Sequence, residues 1–347
     1  MAVNWGVIGC GGIARRRTIP EGIVPCEDAR LFGVQDINGE AAEAVGKEFN
    51  AEFYSTDPDD VLGDNRIHAV YIATPTHLHH GQVMAAAEAG KHVLCEKPLA
   101  LTLAECEEMV EACASAGVKL GVNFMMRFHA CHQVIKQMIE ADELGTLIAG
   151  QADLTCWYPP IEGAFRQDPE LGGGGALNDM GNHCVDLLEQ YFGPVIEICC
   201  FTARLVHDYP VEDTAQVMLR FESGAAATVL ATFALPDQAA RWPLVVQGSK
   251  GVVYSYKTIG QMSEGSLRVC LVDDNGEYDA SQDLGTEMPG KIVTPVGDNI
   301  YLAHIQAFCD AIRNDTAPPI PGEAGVWSHK VIAACYESAR TGKAVAV

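Results

Sequence analysis

Apolar residues in the first third of the chain come in short runs that alternate with helix-spaced stripes. Val3, Trp5, Val7 and Ile8 form the first run, which stops at Gly9-Cys10-Gly11-Gly12-Ile13-Ala14; a basic, helix-compatible segment follows at once. A second run covers 30–35 and includes Phe32 and Val34, and a helical pattern over 39–49 comes after it. Further runs lie at 69–73, 92–96 and 119–124. Between them one helix extends to about Ala89, with Val83, Met84 and Ala87 on one face and Gly90 as its stop. Another opens on the capping box Thr102-Leu103-Ala104-Glu105 and repeats Leu103, Cys106, Val110 and Cys113 until Gly117. This rhythm predicts an α/β, doubly wound parallel sheet covered on both faces, with ligands at the carboxyl ends of its strands.

The rhythm changes near Met125, which divides the chain into 1–124 and 125–347. Strand-like runs occupy 147–158, 195–206, 214–221, 225–233, 244–247, 252–256 and 266–271. In 215–221 the odd positions are apolar, as in a sheet with one buried face, and Glu222-Ser223-Gly224 and Gly248-Ser249-Lys250-Gly251 read as hairpin turns. A second, largely antiparallel domain is expected. Its open face must be covered, which predicts a homo-oligomer through that sheet. Cys199 and Cys200 should point to opposite faces. Two helices finish the chain, one carrying the stripe Tyr301, Ile305, Phe308 and Ile312, the other over 325–340.

Composition narrows the function. Of 347 residues, 48% are hydrophobic and 20% charged, ordinary for a globular protein with two cores. The formal net charge of −23 argues against nucleic acid and anionic membrane surfaces and suits a neutral substrate. No stretch approaches the ~18 apolar residues of a membrane span. The 13 cysteines lack framework spacing, which fits a reducing, cytoplasmic setting.

Within this frame the first glycine turn reads as G-x-G-x-x-A. Gly9 permits the tight turn, Gly11 lets the backbone close on a pyrophosphate, and Ala14 lets the helix pack on the strand. Gly12 and Ile13 complete the cradle. Asp36 ends the second strand 22 residues past Ala14, where a ribose 2′-hydroxyl is expected. A carboxylate there repels a 2′-phosphate, so NAD is preferred over NADP; Arg15, Arg16 and Arg17 are the counter-signal. Thr74-Pro75 and Glu96-Lys97 lie at the other strand ends, so all could line one crevice. The remaining chemistry sits on a helix over 172–191 behind four glycines. Asp179, His183, Asp186 and Gln190 form a polar stripe beside the apolar Met180, Cys184, Leu187 and Tyr191. His183 suits a base for a hydroxyl proton, with Asp179 orienting the imidazole or holding substrate hydroxyls, and Lys97 sharing the alcohol oxygen. Trp157, Tyr158 and Arg166, in a Pro-rich loop, are candidates for stacking on a substrate ring and bonding its polar groups. His77, His79, His80, His129, Cys131 and His132 lack paired ligand spacing, so no metal site is expected.

The segments GVIGCGGIA (6–14), ATPTHLHH (73–80), AGKHVLCEKPLA (89–100) and GGGGALNDMGNHCVDLL (172–188) together resemble the glucose–fructose oxidoreductase / inositol dehydrogenase / rhizopine-catabolism (Gfo/Idh/MocA) family across nearly the whole chain. The resemblance implies an N-terminal Rossmann domain followed by an α/β domain on a large, open, mostly antiparallel sheet. It also implies NAD(P)-linked oxidation or reduction of a sugar, sugar derivative or polyol. Lys97 matches the lysine of the EKP motif, Asp179 and His183 the D-x-x-x-H pair, and His79 the histidine of TP-x-x-x-H near the cofactor. Arg127 and Phe128 match a segment beside nicotinamide and substrate, and Pro98 a position often preceded by a cis bond. Two alternatives come with the family: a redox-neutral, sugar-modifying enzyme that retains its NAD, and a non-catalytic NAD-binding regulator. Lys97, Asp179 and His183 speak against the regulator. The run Gly325-Val326-Trp327-Ser328 resembles the family's anhydrofructose reductases and dihydrodiol dehydrogenases.

Overall fold

The computed structural model describes residues 2–272 and 289–347. Strands β1 (Val3–Ile8), β2 (Ala29–Gln35), β3 (Phe53–Ser55), β4 (Ala69–Ile72), β5 (His92–Cys95) and β6 (Leu120–Val122) form one sheet in the order β3-β2-β1-β4-β5-β6. Every pairing in it is parallel. Near-continuous burial of β1 and β4 follows from helices on both faces. The strand order reverses between β1 and β4, and the crevice outside their carboxyl ends is where such sheets bind ligands. The helix after the glycine turn is a π-helix, Ala14–Ile23, with Pro20 inside it. The Val24 N–H reaches back to the Ile19 carbonyl at 2.9 Å, the i→i+5 spacing of that form.

The second sheet contains β7 (Leu147–Thr155), β8 (Val195–Ala203), β9 (Thr214–Phe221), β10 (Ala226–Thr232), β11 (Leu244–Gly248), β12 (Gly251–Tyr256), β13 (Ser266–Leu271), β14 (Lys291–Val293) and β15 (Val345–Ala346). Its order is β14-β13-β12-β11-β7-β10-β9-β8-β15, parallel only at β10/β7. Alternation sends Ile198, Cys200, Val217 and Leu219 into a core under helices Asn182–Phe192 and Gly322–Thr341. It leaves Ile196, Cys199, Phe201 and Met218 on the open side, so the adjacent cysteines do part to opposite faces.

Three expected elements stop early or change form. The run 195–206 ends at Ala203, because the N–H groups of Leu205, Val206 and His207 turn onto the Asp213 carboxylate at 2.7–3.1 Å. The run 147–158 ends at Thr155, ahead of Pro159-Pro160. The helix expected over 172–191 is instead a short helix Pro169–Gly172, a left-handed Gly173, a π turn Leu177–Gly181 and the α-helix Asn182–Phe192. Helix Ile300–Arg313 folds back onto the first sheet: Ile305, Phe308 and Cys309 share a core with Trp5, Val7 and Tyr71.

Candidate active site

A cavity of about 830 Å³ lies at the carboxyl ends of β1, β4 and β5 and is closed on its other side by the second sheet. That volume falls in the ~300–1,000 Å³ range of small-molecule sites. The glycine turn forms one end. Gly9 has φ +90°, and a Cβ on it would stand 2.9 Å from the Ala73 carbonyl and from Thr74. Here only glycine fits. A Cβ on Gly11 would meet nothing within 4 Å. Gly11, Gly12, Ile13, Thr74 and Pro75 therefore leave an open cradle on the cavity, the fit a pyrophosphate requires. Asp36 accepts the Cys10 N–H on Oδ2 and the Asn38 N–H on Oδ1, both at 2.9 Å, which fixes the carboxylate beside that turn. Of the three arginines, Arg15 is paired with Glu48 and Arg17 with Glu21, while Arg16 reaches back to the Gly12 carbonyl.

Farther in, Lys97 follows β5, and the next peptide bond, to Pro98, is cis. Its ammonium donates to the Asp179 carbonyl at 2.7 Å and to Asp179 Oδ1 at 2.8 Å. Two of its three hydrogens are thus committed and one remains. Arg166 Nε meets the same Oδ1 at 3.1 Å. Burial alone would raise the Asp179 pKa, but Lys97 and Arg166 outweigh it and hold the carboxyl well below the usual range. The π turn that carries Asp179 is itself anchored by Glu212, whose carboxylate accepts the N–H groups of Gly175 and Leu177 at 3.0–3.1 Å. A Cβ at Gly175 would overlap the Glu212 carbonyl, so the glycine run serves close approach to another segment.

His183 lines the cavity, and its Nδ1 is buried without a hydrogen-bond partner among the described residues. Burial, then the charge of Lys97, holds its pKa well below the ordinary value; the imidazole is neutral. Asp179 therefore serves Lys97 and Arg166 rather than orienting His183, a correction whose cause is the two cations already seated on it. Glu96 also lines the cavity. It accepts hydrogen bonds from Tyr71 and, at 2.5 Å, from Asn123, and burial raises its pKa. His79 spans the two strand-end loops, its ring nitrogens 3.0 Å from the Pro98 carbonyl and 2.9 Å from that of Thr74.

Of the expected residues, Gly9 and Asp36 stand at the glycine turn without lining the cavity, and Arg127 and Trp157 lie elsewhere. Arg127 is absent from the cavity lining because Asp186 holds it in a bidentate pair at 2.6–3.0 Å. Trp157 turns away to pack edge-on against His207, with 43% of its surface exposed. Tyr158 and Arg166 do line the cavity. The sequence reading missed Trp242, Asp237, Gln261 and Met262, which also line it. They come from connections after β10 and β12, where no periodicity marks a residue as inward-facing. His129 and His132 go to structural tasks: His129 caps helix Ala130–Glu140 through Cys131 N–H, and His132 bonds the Met126 carbonyl at 2.8 Å.

A dinucleotide cradle that opens onto a buried lysine, carboxylate and neutral imidazole defines a nicotinamide-dependent oxidoreductase with a Rossmann domain. Comparison with known proteins gives the particular lineage. Residues 3–124 match the model of the oxidoreductase family with an NAD-binding Rossmann fold, and residues 132–254 match the GFO/IDH/MocA C-terminal domain. The chain is 31% identical to the 1,5-anhydro-D-fructose reductase of Ensifer adhaerens, covering 99% of this chain and 98% of that protein. It is 29% identical to D-xylose 1-dehydrogenase (NADP(+)) 2 of Haloferax volcanii, covering 98% of each. Among solved structures, the aldose-aldose oxidoreductase of Caulobacter crescentus, complexed with glycerol, superposes with TM-score 0.88 over 100% of both chains at 25% identity. The chain belongs to the Gfo/Idh/MocA oxidoreductase family.

Proposed function

We propose that the protein transfers a hydride between NAD and a secondary alcohol or keto group of a small neutral sugar, sugar derivative or polyol. The observation that carries this reading is the Lys97–Asp179 pair, joined at 2.8 Å across the cavity beside a neutral His183. The nicotinamide, when bound, supplies the hydride acceptor. Gly9, Gly11, Gly12, Ile13, Thr74 and Pro75 hold the dinucleotide, with Glu96 and Lys97 at its nicotinamide end, and His79 braces two of those loops. The uncommitted Lys97 hydrogen binds the carbinol oxygen and stabilises the developing alkoxide. His183, neutral and on the cavity wall, accepts the hydroxyl proton. Asp179 fixes Lys97 and Arg166, and Arg166 and Tyr158 border the substrate.

Several features support the finer parts of the reading. Arg16 and Arg17 line the cavity along with Gly11 and Gly12, and Lys97 and Arg166 are matched by Glu96, Asp179 and Asp237, a near-balance that suits an uncharged substrate. The sugar class follows the relatives, named for a sugar reductase and a sugar dehydrogenase. Asp36, fixed beside the glycine turn, favours NAD over NADP. An NAD(P)-binding domain, 1–124, and a substrate-binding and oligomerisation domain, 125–347, divide the work, and copies of the chain associate as a dimer or tetramer through the open face of the second sheet, where Phe201 is 74% exposed. Thirteen free thiols suit a reducing cytoplasm, and no helix among the described residues is long and apolar enough to cross a membrane. The test is absorbance at the NADH maximum across sugars and polyols, first with NAD and then with NADP. Steady NADH production with a lower KM for NAD is expected. A much lower KM for NADP contradicts the cofactor assignment. NAD retained on the purified protein, without net NADH production, points to the redox-neutral alternative. A strictly monomeric mass in solution contradicts the interface.

A further inference from the structure

The connection between β10 and β11 holds a backbone conformation that costs energy. Trp242 has φ +45°, in the left-handed region. The other four non-glycine residues with positive φ among those described, Asn50, Asp142, Lys257 and Asp315, are polar. A bulky indole in this region persists only where its surroundings over-determine it, and such residues cluster at ligand sites. The restraints on Trp242 can be named. Its Nε1–H donates to the Thr155 carbonyl at 2.6 Å, and the carbonyl of the next residue, Pro243, accepts the Asp153 N–H at 3.0 Å. The ring also packs against the second core.

The indole so held lines the cavity with Tyr158, Phe165 and Phe233, and Arg166, Asp237 and Gln261 supply polar groups on the same wall. Its anchor, Thr155, adjoins Cys156. Thr155, Cys156 and Asp179 line the same cavity as the anchored ring. Cyclic sugars and cyclitols present flat C–H faces bordered by hydroxyls, whereas open-chain polyols hold no fixed face. We propose that Trp242 is the stacking platform for the C–H face of a cyclic sugar or cyclitol, making it a specificity-determining residue; this rests on the carbohydrate reading above.

The test measures kcat and KM for D-glucose, D-xylose and myo-inositol against D-sorbitol and xylitol, in the wild type, Trp242→Leu and Trp242→Phe, with NAD affinity measured separately. The leucine variant is expected to raise KM for the cyclic compounds about tenfold, with smaller changes for the open-chain ones and for NAD. The phenylalanine variant retains part of the effect. An unchanged KM for the cyclic compounds, or a loss confined to NAD affinity, overturns the platform. Should the wild type neither reduce NAD with any of the panel nor carry retained NAD, the carbohydrate reading itself fails, and the platform with it. If the leucine variant does not fold, indole fluorescence decides among the 4 tryptophans. Quenching by a cyclic substrate that survives Trp157→Phe and disappears in Trp242→Phe supports the platform. Quenching that survives Trp242→Phe overturns it.

Discussion

The two walls of the cavity are built by different means. On the first-domain side the shape comes from the backbone: a glycine turn, strand ends, and a carboxylate fixed by two N–H groups. On the other side it comes from side chains on loops and a π turn, among them Arg166, Trp242, Gln261 and Asp179. A wall of backbone suits a ligand that never changes, while a wall of side chains can be respecified without disturbing the sheet. Lys97 belongs to the first wall but spends its hydrogen bonds on the second, so it is the point where the constant and variable halves are tied together.

Replacing Lys97 cuts that tie. Lys97→Ala should lower hydride transfer by roughly 10²–10⁴-fold while NAD affinity changes little, read by NADH absorbance and by calorimetric titration. Arg127→Ala removes a brace outside the cavity. It leaves Asp186 buried without its cation and should cost about 3–5 kcal/mol in urea unfolding, with the KM for NAD nearly unchanged. A large rise in that KM with normal stability would return Arg127 to the first wall. Asp36→Ala probes that wall alone. It should lower kcat/KM for NAD about tenfold and raise relative use of NADP, without altering sugar KM.

A fourth effect concerns pH and touches both sides. Burial lowers His304, against the first sheet, and His132, in the second core, to about 3. Both are neutral when folded and bind protons more readily when unfolded. Their contribution is present above pH 6.5 and is lost as pH falls toward 3, by about 1.4 kcal/mol per unit for each group. Urea unfolding at pH 7 and pH 5 should show a shallower slope in His304→Gln than in the wild type. An identical slope breaks the symmetry between the two halves.

The same contrast explains what was legible in the sequence. Strand rhythm, the glycine turn, Asp36 and Lys97 are local patterns, and β1, β2 and β4 to β6 follow from them; the three-residue edge strand β3 is too short to show a period and is missed. The adjoining Asp179 and His183 could also be picked out, being four residues apart on one helix. Their relation could not: the π turn and the cations on Asp179 depend on residues 82 and 13 positions away. Trp157 and Trp242 both lie in proline-bearing loops, and only tertiary structure shows which ring faces the cavity. The return of helix Ile300–Arg313 to the first core is equally invisible in its own stripe of Tyr301, Ile305 and Phe308.

A crystal structure of the protein with NADH and a cyclic substrate found in the NADH assay tests the meeting of the two walls most directly. The account predicts the reacting oxygen at about 3 Å from both Lys97 Nζ and the His183 imidazole, with the nicotinamide on the side of the glycine turn. An oxygen bound by neither residue, with the cavity otherwise filled as described, contradicts it.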